Sequence, residues 1–133
     1  MVTVNTFSEK GFCPVVHNSI FKCAFITAHP GYACGSIKEM KRHNDSDEVF
    51  VLLEGAATLY TCDSLEAEVT VTKLQPRVAY NVEAGTWHYL AVSEDAVVFV
   101  AESGSMQAEN TQAHSVVEKG LVAEVYCAAV EKQ

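Results

Sequence analysis

Short runs of apolar residues alternate with polar ones through most of the chain, and turn residues separate one run from the next. Runs of this length with a period of two are typical of β-strands that are buried on one face. We predict strands over residues 21–27, 48–53, 57–62, 68–74, 78–82, 86–92 and 96–101. Short strands at this spacing favour an all-β sandwich or a small barrel.

The connection after the second predicted strand is typical of a hairpin. Glu54 and Gly55 form a short turn signal between two apolar runs. A two-residue turn at this place would set Leu59 and Ala57 opposite Phe50 and Leu52 on one face of a sheet. We therefore predict that the strands over residues 48–53 and 57–62 pair with each other.

The C-terminal part of the chain has a weaker pattern. Residues 103–114 are mostly polar and are predicted to form a loop. Further on, Leu121, Val122, Val125 and Ala129 fit one face of a helix, although residues 122–126 also fit a strand. We favour a short C-terminal helix or arm.

The composition indicates a single folded domain. The chain has 133 residues, of which 49% are hydrophobic and 20% are charged, as in a globular domain that buries its own core. No linker or repeat interrupts it, so we treat residues 1–133 as one domain. The net charge of −8 argues against nucleic acids and anionic membranes as partners, because both repel an acidic surface.

Targeting and cysteine patterns favour a cytoplasmic protein. The chain begins without a basic patch followed by an apolar segment, and it has no apolar run of about 18 residues. We therefore expect neither a signal peptide nor a membrane span. The five cysteines are scattered and form no Cys-x-x-Cys pair, so we expect free thiols.

The stretch from Gly35 to Gly55 resembles the first sequence motif of the cupin family. Gly35, His43, Glu48 and Gly55 stand at the spacings of that motif. Lys41 is the departure, because the family has its first histidine at this position. The sequence of residues 47–55 is similar to that of the small single-domain members in particular.

A second stretch resembles the other cupin motif less closely. Gly85 and His88 match it, whereas Arg77, Glu83 and Val92 stand where the family has Gly, Pro and Asn. The resemblance covers residues 35–101, about half of the chain, which we take as the motif-bearing core. It implies a double-stranded β-helix, the jelly-roll barrel of the family, in agreement with the independent strand pattern.

The resemblance also implies a metal site. The family holds its metal with the motif histidines and glutamate, and the matching residues of this chain are His43, Glu48 and His88. Two imidazoles and one carboxylate with open positions suit a divalent Fe, Mn, Ni or Zn ion. The sequence contains no motif for an organic cofactor, so we expect none.

Strand alternation indicates what surrounds these residues. Lys41 shares a face with His43, because residues two apart on a strand point the same way. We expect Lys41 to be the catalytic residue, as a stabiliser of negative charge or as an acid or base. The side chains predicted to line the pocket are Phe50, Leu52, Tyr80 and Leu90.

Two functional hypotheses stay open. In the first, a small cytosolic cupin binds a divalent metal and a small polar metabolite, such as a sugar derivative or an oxo acid. In the second, a binding or sensing module holds its ligand without metal, and Lys41 pairs with Glu48 in place of the cation. The sequence does not decide whether the protein is an enzyme.

A homodimer is expected from the resemblance and from the apolar pattern. Residues 21–26 and 121–125 are apolar segments that can cover the sheet edge of a neighbouring copy. Dimerisation of this kind removes an exposed strand edge, which is otherwise prone to aggregation.

Overall fold

The computed structural model describes residues 1–105 and 110–125, and most of the regular structure in these ranges is β-strand. The strands in chain order are β1 (Phe12–His17), β2 (Phe21–Ile26), β3 (Gly35–Ser36), β4 (Glu39–His43), β5 (Glu48–Glu54), β6 (Ala57–Cys62), β7 (Thr70–Lys73), β8 (Ala79–Val82), β9 (Trp87–Val92), β10 (Val97–Ser103), β11 (Thr111–Ser115) and β12 (Val122–Ala123). Short 3₁₀ turns lie at Pro30–Tyr32 and Val117–Lys119. None of the helical segments in the two described ranges is long and apolar enough to cross a bilayer.

Two five-stranded sheets pack face to face. The first sheet has the order β1-β2-β10-β5-β8, the second has the order β11-β4-β9-β6-β7, and the strand pairs within both are antiparallel. β12 and β3 form a separate antiparallel pair. This arrangement is a double-sheet jelly roll. The predicted all-β, jelly-roll class is confirmed, with the sheets packed as a sandwich.

The predicted strands all overlap observed ones, but β1, β3, β4 and β11 lie outside the predicted strand ranges. β1 contains Pro14, and the register of its pairing with β2 shifts between Pro14 and Val16. β11 (Thr111–Ser115) begins within residues 103–114, so the prediction of a loop is wrong for residues 111–114. Residues 106–109 of that predicted loop lie outside the described residues.

The predicted hairpin at Gly55 is wrong. β5 pairs with β10 and β8, whereas β6 pairs with β9 and β7, so the chain crosses from one sheet to the other at this point. The crossing is tight: Gly55 has a φ of 73°, and a Cβ atom there would lie 2.6 Å from the Cα of Ala96. Phe50 and Leu59 still share one core, because they come together across the sandwich instead of along one sheet.

The main core fills the space between the two sheets. Glu48, Phe50 and Leu52 alternate along β5 as its buried side chains. Leu90 of β9 packs into the same core from the second sheet, and His88 is buried two residues before it. Glu48 and His88 are therefore the polar ends of two apolar rows, which places them together at one end of the core.

A second, smaller core covers the outer face of the second sheet. Trp87 of β9 and Tyr60 of β6 pack there against Met40 and Val116. Trp87 thus faces away from His88, as the strand alternation predicts. Because the protein's own C-terminal segment covers this face, the second sheet is buried on both sides.

The C-terminal segment differs from the prediction. Val122–Ala123 forms strand β12 instead of a helix, and Ala129 lies outside the described residues. Leu121 and Val125 pack against the second core of the same chain. β2 lies between β1 and β10 and has no free edge. The homodimer therefore stays a prediction, and neither of these apolar segments supports it.

Candidate metal centre and ligand cavity

Three side chains from both sheets converge at one end of the main core. His43 is the last residue of β4 and His88 the second residue of β9, both in the second sheet, whereas Glu48 opens β5 in the first sheet. One nitrogen or oxygen atom from each side chain lies within 4.8 Å of the others. Glu48 and His88 are buried, and His43 is half-buried.

Backbone contacts hold these strand ends in position. The N–H of Gly85 donates to the carbonyl of His43 at 2.7 Å. The carboxylate of Asp47 accepts hydrogen bonds from the N–H of Ala84 at 2.8 Å and from the side chain of Asn81 at 3.1 Å. These contacts join the β4–β5 connection to the β8–β9 connection. They therefore fix the position of the first histidine and the glutamate relative to the strand that carries the second histidine.

Both histidines direct Nε2 at the same carboxylate oxygen. Oε1 of Glu48 lies 3.1 Å from Nε2 of His43 and 3.3 Å from Nε2 of His88. The other ring nitrogens also have partners. Nδ1 of His43 lies 3.0 Å from the hydroxyl of Thr111, and Nδ1 of His88 lies 3.1 Å from the carbonyl oxygen of Thr86. Each ring is therefore held in one orientation.

The carboxylate of Glu48 stays ionised in spite of its burial. Burial opposes ionisation, but the hydrogen bonds and charge of His43 and His88 outweigh it and lower the pKa of Glu48 to about 2. A buried carboxylate persists as an anion only where cations or hydrogen-bond donors surround it. The centre is therefore built around a negative charge that a cation can compensate.

The donor set fits a divalent transition metal. A carbonyl oxygen only accepts hydrogen bonds, so Nδ1 of His88 carries a proton, and a metal at Nε2 would take the place of the proton that Nε2 donates to Glu48. Metal-binding histidines commonly donate their other N–H to an acceptor in this way. Two atoms bound to a metal at about 2.1 Å and at a right angle lie about 3.0 Å apart. The two nitrogen–oxygen distances, 3.1 and 3.3 Å, are close to this value.

Lys41 lies directly opposite His88 in the pairing of β4 with β9. It lines the same cavity as His43, in agreement with the predicted shared face. The ion pairs of Glu48 are with the two histidines, and no Lys41–Glu48 pair is formed within residues 1–105 and 110–125. The direct pairing of Lys41 with Glu48 that the metal-free hypothesis requires is therefore not formed.

A cavity of about 960 Å³ opens beside the three converging side chains. Phe50 and Leu90 line it, and the Phe50 ring meets the His88 ring edge-on, with 6.2 Å between their centroids. The prediction is wrong for Leu52 and Tyr80. Leu52 lies about 7 Å further along its strand and is enclosed in the core. Tyr80 is on the edge strand β8, where a backbone N–H donates to its hydroxyl at 2.8 Å and a separate, smaller cavity begins.

An ion pair in the cavity wall was missed by the sequence analysis. Nζ of Lys22 lies 3.3 Å from Oε1 of Glu102, and Glu102 also lies opposite Glu48 in the pairing of β10 with β5. Burial and the Glu48 carboxylate raise the pKa of Glu102, and the Lys22 ammonium only partly offsets them. The pattern of one strand contains no signal for this pair, because it depends on which strands become neighbours.

Tyr32 is a second wall residue that the sequence analysis missed. It ends the 3₁₀ turn Pro30–Tyr32, and the hydroxyl of Tyr89 ties the next residue to β9 by donating to the carbonyl of Ala33 at 2.6 Å. Burial and the carboxylates of Glu48 and Glu102 raise the pKa of Tyr32 to about 12. The phenol therefore keeps its proton at neutral pH. In the sequence, this segment carries only a turn signal.

Comparison with known proteins identifies similar folds but no sequence relative. No protein-family model and no curated protein matches the chain. Streptomyces PAC13, in a structure with uridine, is 10% identical with a TM-score of 0.62, over 93% of this chain and 99% of that one. A mutant of the 3,4-ketoisomerase QdtA from Thermoanaerobacterium thermosaccharolyticum, in complex with TDP-4-keto-6-deoxyglucose, is 17% identical with a TM-score of 0.57, over 70% and 65% of the two chains. A cupin-2 domain containing protein from Shewanella frigidimarina is 17% identical with a TM-score of 0.50, over 75% and 84%.

Proposed function

Because the chain has the cupin fold, we propose that it binds a divalent transition metal through His43, Glu48 and His88 and a small polar metabolite in the adjoining cavity. The observation that carries this proposal is the convergence of two Nε2 atoms on one carboxylate oxygen at the cavity wall. A cavity of about 960 Å³ is large enough for a small-molecule ligand.

The residues around the centre define what the site can do to a ligand. A bound cation would supply Lewis-acid polarisation of a carbonyl or enol oxygen. Lys41, opposite His88, stabilises negative charge on the ligand or transfers a proton. Tyr32 can donate a hydrogen bond, because it keeps its proton. Phe50 and Leu90 give the wall an apolar part, which excludes water and strengthens the nearby electrostatic interactions.

The site suits an oxygen-rich ligand, such as a sugar derivative or an oxo acid. Its polar groups are gathered at the metal centre, and carbonyl or hydroxyl oxygens are the ligand atoms that such groups bind. The similar structures support this class of ligand. The PAC13 structure contains uridine and the QdtA mutant contains TDP-4-keto-6-deoxyglucose, both of which carry several such oxygens.

Elemental analysis of the untagged protein, purified without chelators, tests the metal proposal. We expect close to one Fe, Mn, Ni or Zn ion per chain. The His88→Ala variant should lose this ion, because it removes one of three ligands. The His17→Ala variant is the matched control, since His17 is exposed and bonds to the carbonyl of Gly104 outside the cavity. Unchanged metal content in His88→Ala would show that the ligand assignment is wrong.

A metal-free binding or sensing module is the second candidate, although its Lys41–Glu48 pair is not formed. Lys41 is the cross-strand neighbour of His88, and a positive charge at this position opposes the binding of a divalent ion. If the protein takes up no metal even after reconstitution, this candidate replaces the first. A thermal-shift screen of small anions and sugars would then identify the ligand, because a ligand that binds only the folded state raises its melting temperature.

A further inference from the structure

The cavity wall is more basic than the protein as a whole. Among the described residues, the wall includes four of the chain's nine Lys and Arg residues and three of its seventeen Asp and Glu residues. The chain carries a net charge of −8, so most of its surface repels anions. The basic wall is a local exception, and it lies beside the candidate metal ligands.

Three of the four lysines in the wall have no ion-pair partner in the part of the chain that the structure describes. Lys22 pairs with Glu102 at 3.3 Å and is mostly buried. Lys10, Lys38 and Lys41 are exposed and make no ion pair within residues 1–105 and 110–125. Their charges are therefore available to a molecule that enters the cavity.

The unpaired lysines come from both sheets. Lys41 is two residues before His43 on β4 in the second sheet, which is about 7 Å along the strand. Lys38 directly precedes the same strand, and the intervening Glu39 also lines the cavity. Lys10 comes just before β1, in the first sheet. One small molecule can therefore reach the metal centre and at least one of these ammonium groups at the same time.

Unpaired cations in a concave site concentrate anions there, because the low-dielectric walls focus their field. Ammonium groups bind phosphate and carboxylate oxygens through charge-assisted hydrogen bonds. We propose that the ligand carries a phosphate or carboxylate group, which binds the lysines at positions 10, 38 and 41 while its other end faces the two histidines and Glu48. This inference rests on the proposed function, because it names the chemical class of the ligand of the same site.

An NMR titration of the metal-free 133-residue chain tests this inference, because no metal is present to bind the anions directly. The probes are orthophosphate and malonate, with glycerol as the neutral probe. We expect saturable shifts of amides around the cavity with one or both anions and none with glycerol. Orthophosphate binding alone would indicate a phosphorylated ligand, and malonate binding alone a carboxylate. No saturable shift with either anion would overturn the inference.

Charge variants show whether the lysines are the binding groups. The double variant Lys38→Gln, Lys41→Gln should weaken anion binding by at least roughly tenfold, since two charge-assisted hydrogen bonds are lost. Lys73→Gln, which removes the same charge from β7 outside the cavity, should leave the dissociation constant unchanged. An equal loss in Lys73→Gln would indicate a general charge effect and overturn the inference.

The failure of this inference is distinguishable from the failure of the proposed function. If the protein holds one metal ion but binds neither anion, the metal proposal stands and the inference of an anionic ligand fails. If it holds no metal but binds an anion through its lysines, the inference stands and the protein is a metal-free binding module. Metal content and anion affinity are measured separately, so each result stands alone.

Discussion

Nδ1 of His88 lies 3.1 Å from the carbonyl oxygen of Thr86, two residues earlier in the chain. This contact places a proton on Nδ1 and turns Nε2 toward Oε1 of Glu48, 3.3 Å away. A lone pair and a carboxylate oxygen repel each other at this distance unless a proton or a cation lies between them. The orientation of a single ring therefore makes the centre require positive charge.

Nitrogen-15 NMR of the histidine side chains can test this tautomer directly. We expect Nδ1 of His88 to carry a proton with and without metal, because its carbonyl partner accepts only. Added zinc should shift the Nε2 resonances of His43 and His88 and leave those of exposed His17 in place. A zinc-induced shift at Nδ1 of His88 in place of Nε2 would contradict the assigned orientation.

Replacement of Thr111 should weaken metal binding without removing a ligand. Its hydroxyl lies 3.0 Å from Nδ1 of His43 and holds that ring in place. We expect Thr111→Val to lower metal affinity by roughly 10- to 100-fold, the usual effect of losing such an outer partner. Competition with a fluorescent chelator measures this change. Thr70→Val on β7 is the control, and a loss of similar size in that variant would argue against a specific role for Thr111.

The Lys41→His substitution should strengthen metal binding. It restores an imidazole at the position where the cupin motif has its first histidine and removes a charge that repels the ion. We expect at least a roughly tenfold gain in zinc affinity by isothermal titration calorimetry. Lys73→His, which adds a histidine outside the cavity, should give no gain. Equal affinities in the Lys41→His variant and the wild type would mean that the other three side chains do not act as ligands.

The folded protein should lose stability in acid through Glu48. The pKa of this carboxylate is about 2 in the folded chain against an ordinary value of 4.5, so its contribution is complete above pH 4.5 and disappears as the pH falls to 2. We expect this group to account for a loss of about 3 kcal/mol in the free energy of unfolding of metal-free protein. Urea unfolding across this pH range measures it. The free energy of unfolding of Glu48→Gln should depend less on pH than that of the wild type. Glu83→Gln, at an exposed position, should follow the wild type.

Gly55→Ala should destabilise the fold severely. The new Cβ would lie 2.6 Å from the Cα of Ala96, at a backbone φ of 73° that alanine rarely adopts. Gly120 has a similar φ of 63°, and a Cβ atom there would meet open space. Gly120→Ala therefore isolates the conformational cost of about 1 kcal/mol. We expect chemical denaturation to give a loss several times larger for Gly55→Ala. Equal losses in the two variants would show that the contact with Ala96 is easily relieved.

The strand pattern predicted the elements that carry a regular apolar row, and it missed strands such as β1 and β11 that do not. β5 and β9 carry regular apolar rows, because one face of each must enter the core. β11, Thr-Gln-Ala-His-Ser, pairs with β4 through its backbone and buries almost no side chain, so its sequence shows no strand periodicity. β1 contains a proline, which weakens the strand signal without preventing an edge strand.

The sequence also does not determine which strands become neighbours. A turn signal at Gly55 is equally compatible with a hairpin and with a crossing between sheets, and only tertiary packing selects the crossing. For the same reason His43, Glu48 and His88 were identified through a motif, whereas Glu102 and Tyr32 were found only in the structure. Leu52 was assigned to the pocket because alternation gives the face of a residue but not its depth along the strand.

The two imidazoles belong to one sheet and the carboxylate to the other, so the centre is also a mechanical link across the sandwich. Any local opening that parts the sheets at this end separates Glu48 from both histidines at once. If the centre binds an ion, we expect its release to accompany exposure of the first amides of β5 to solvent. The rate of ion release should then follow the rate of this local opening.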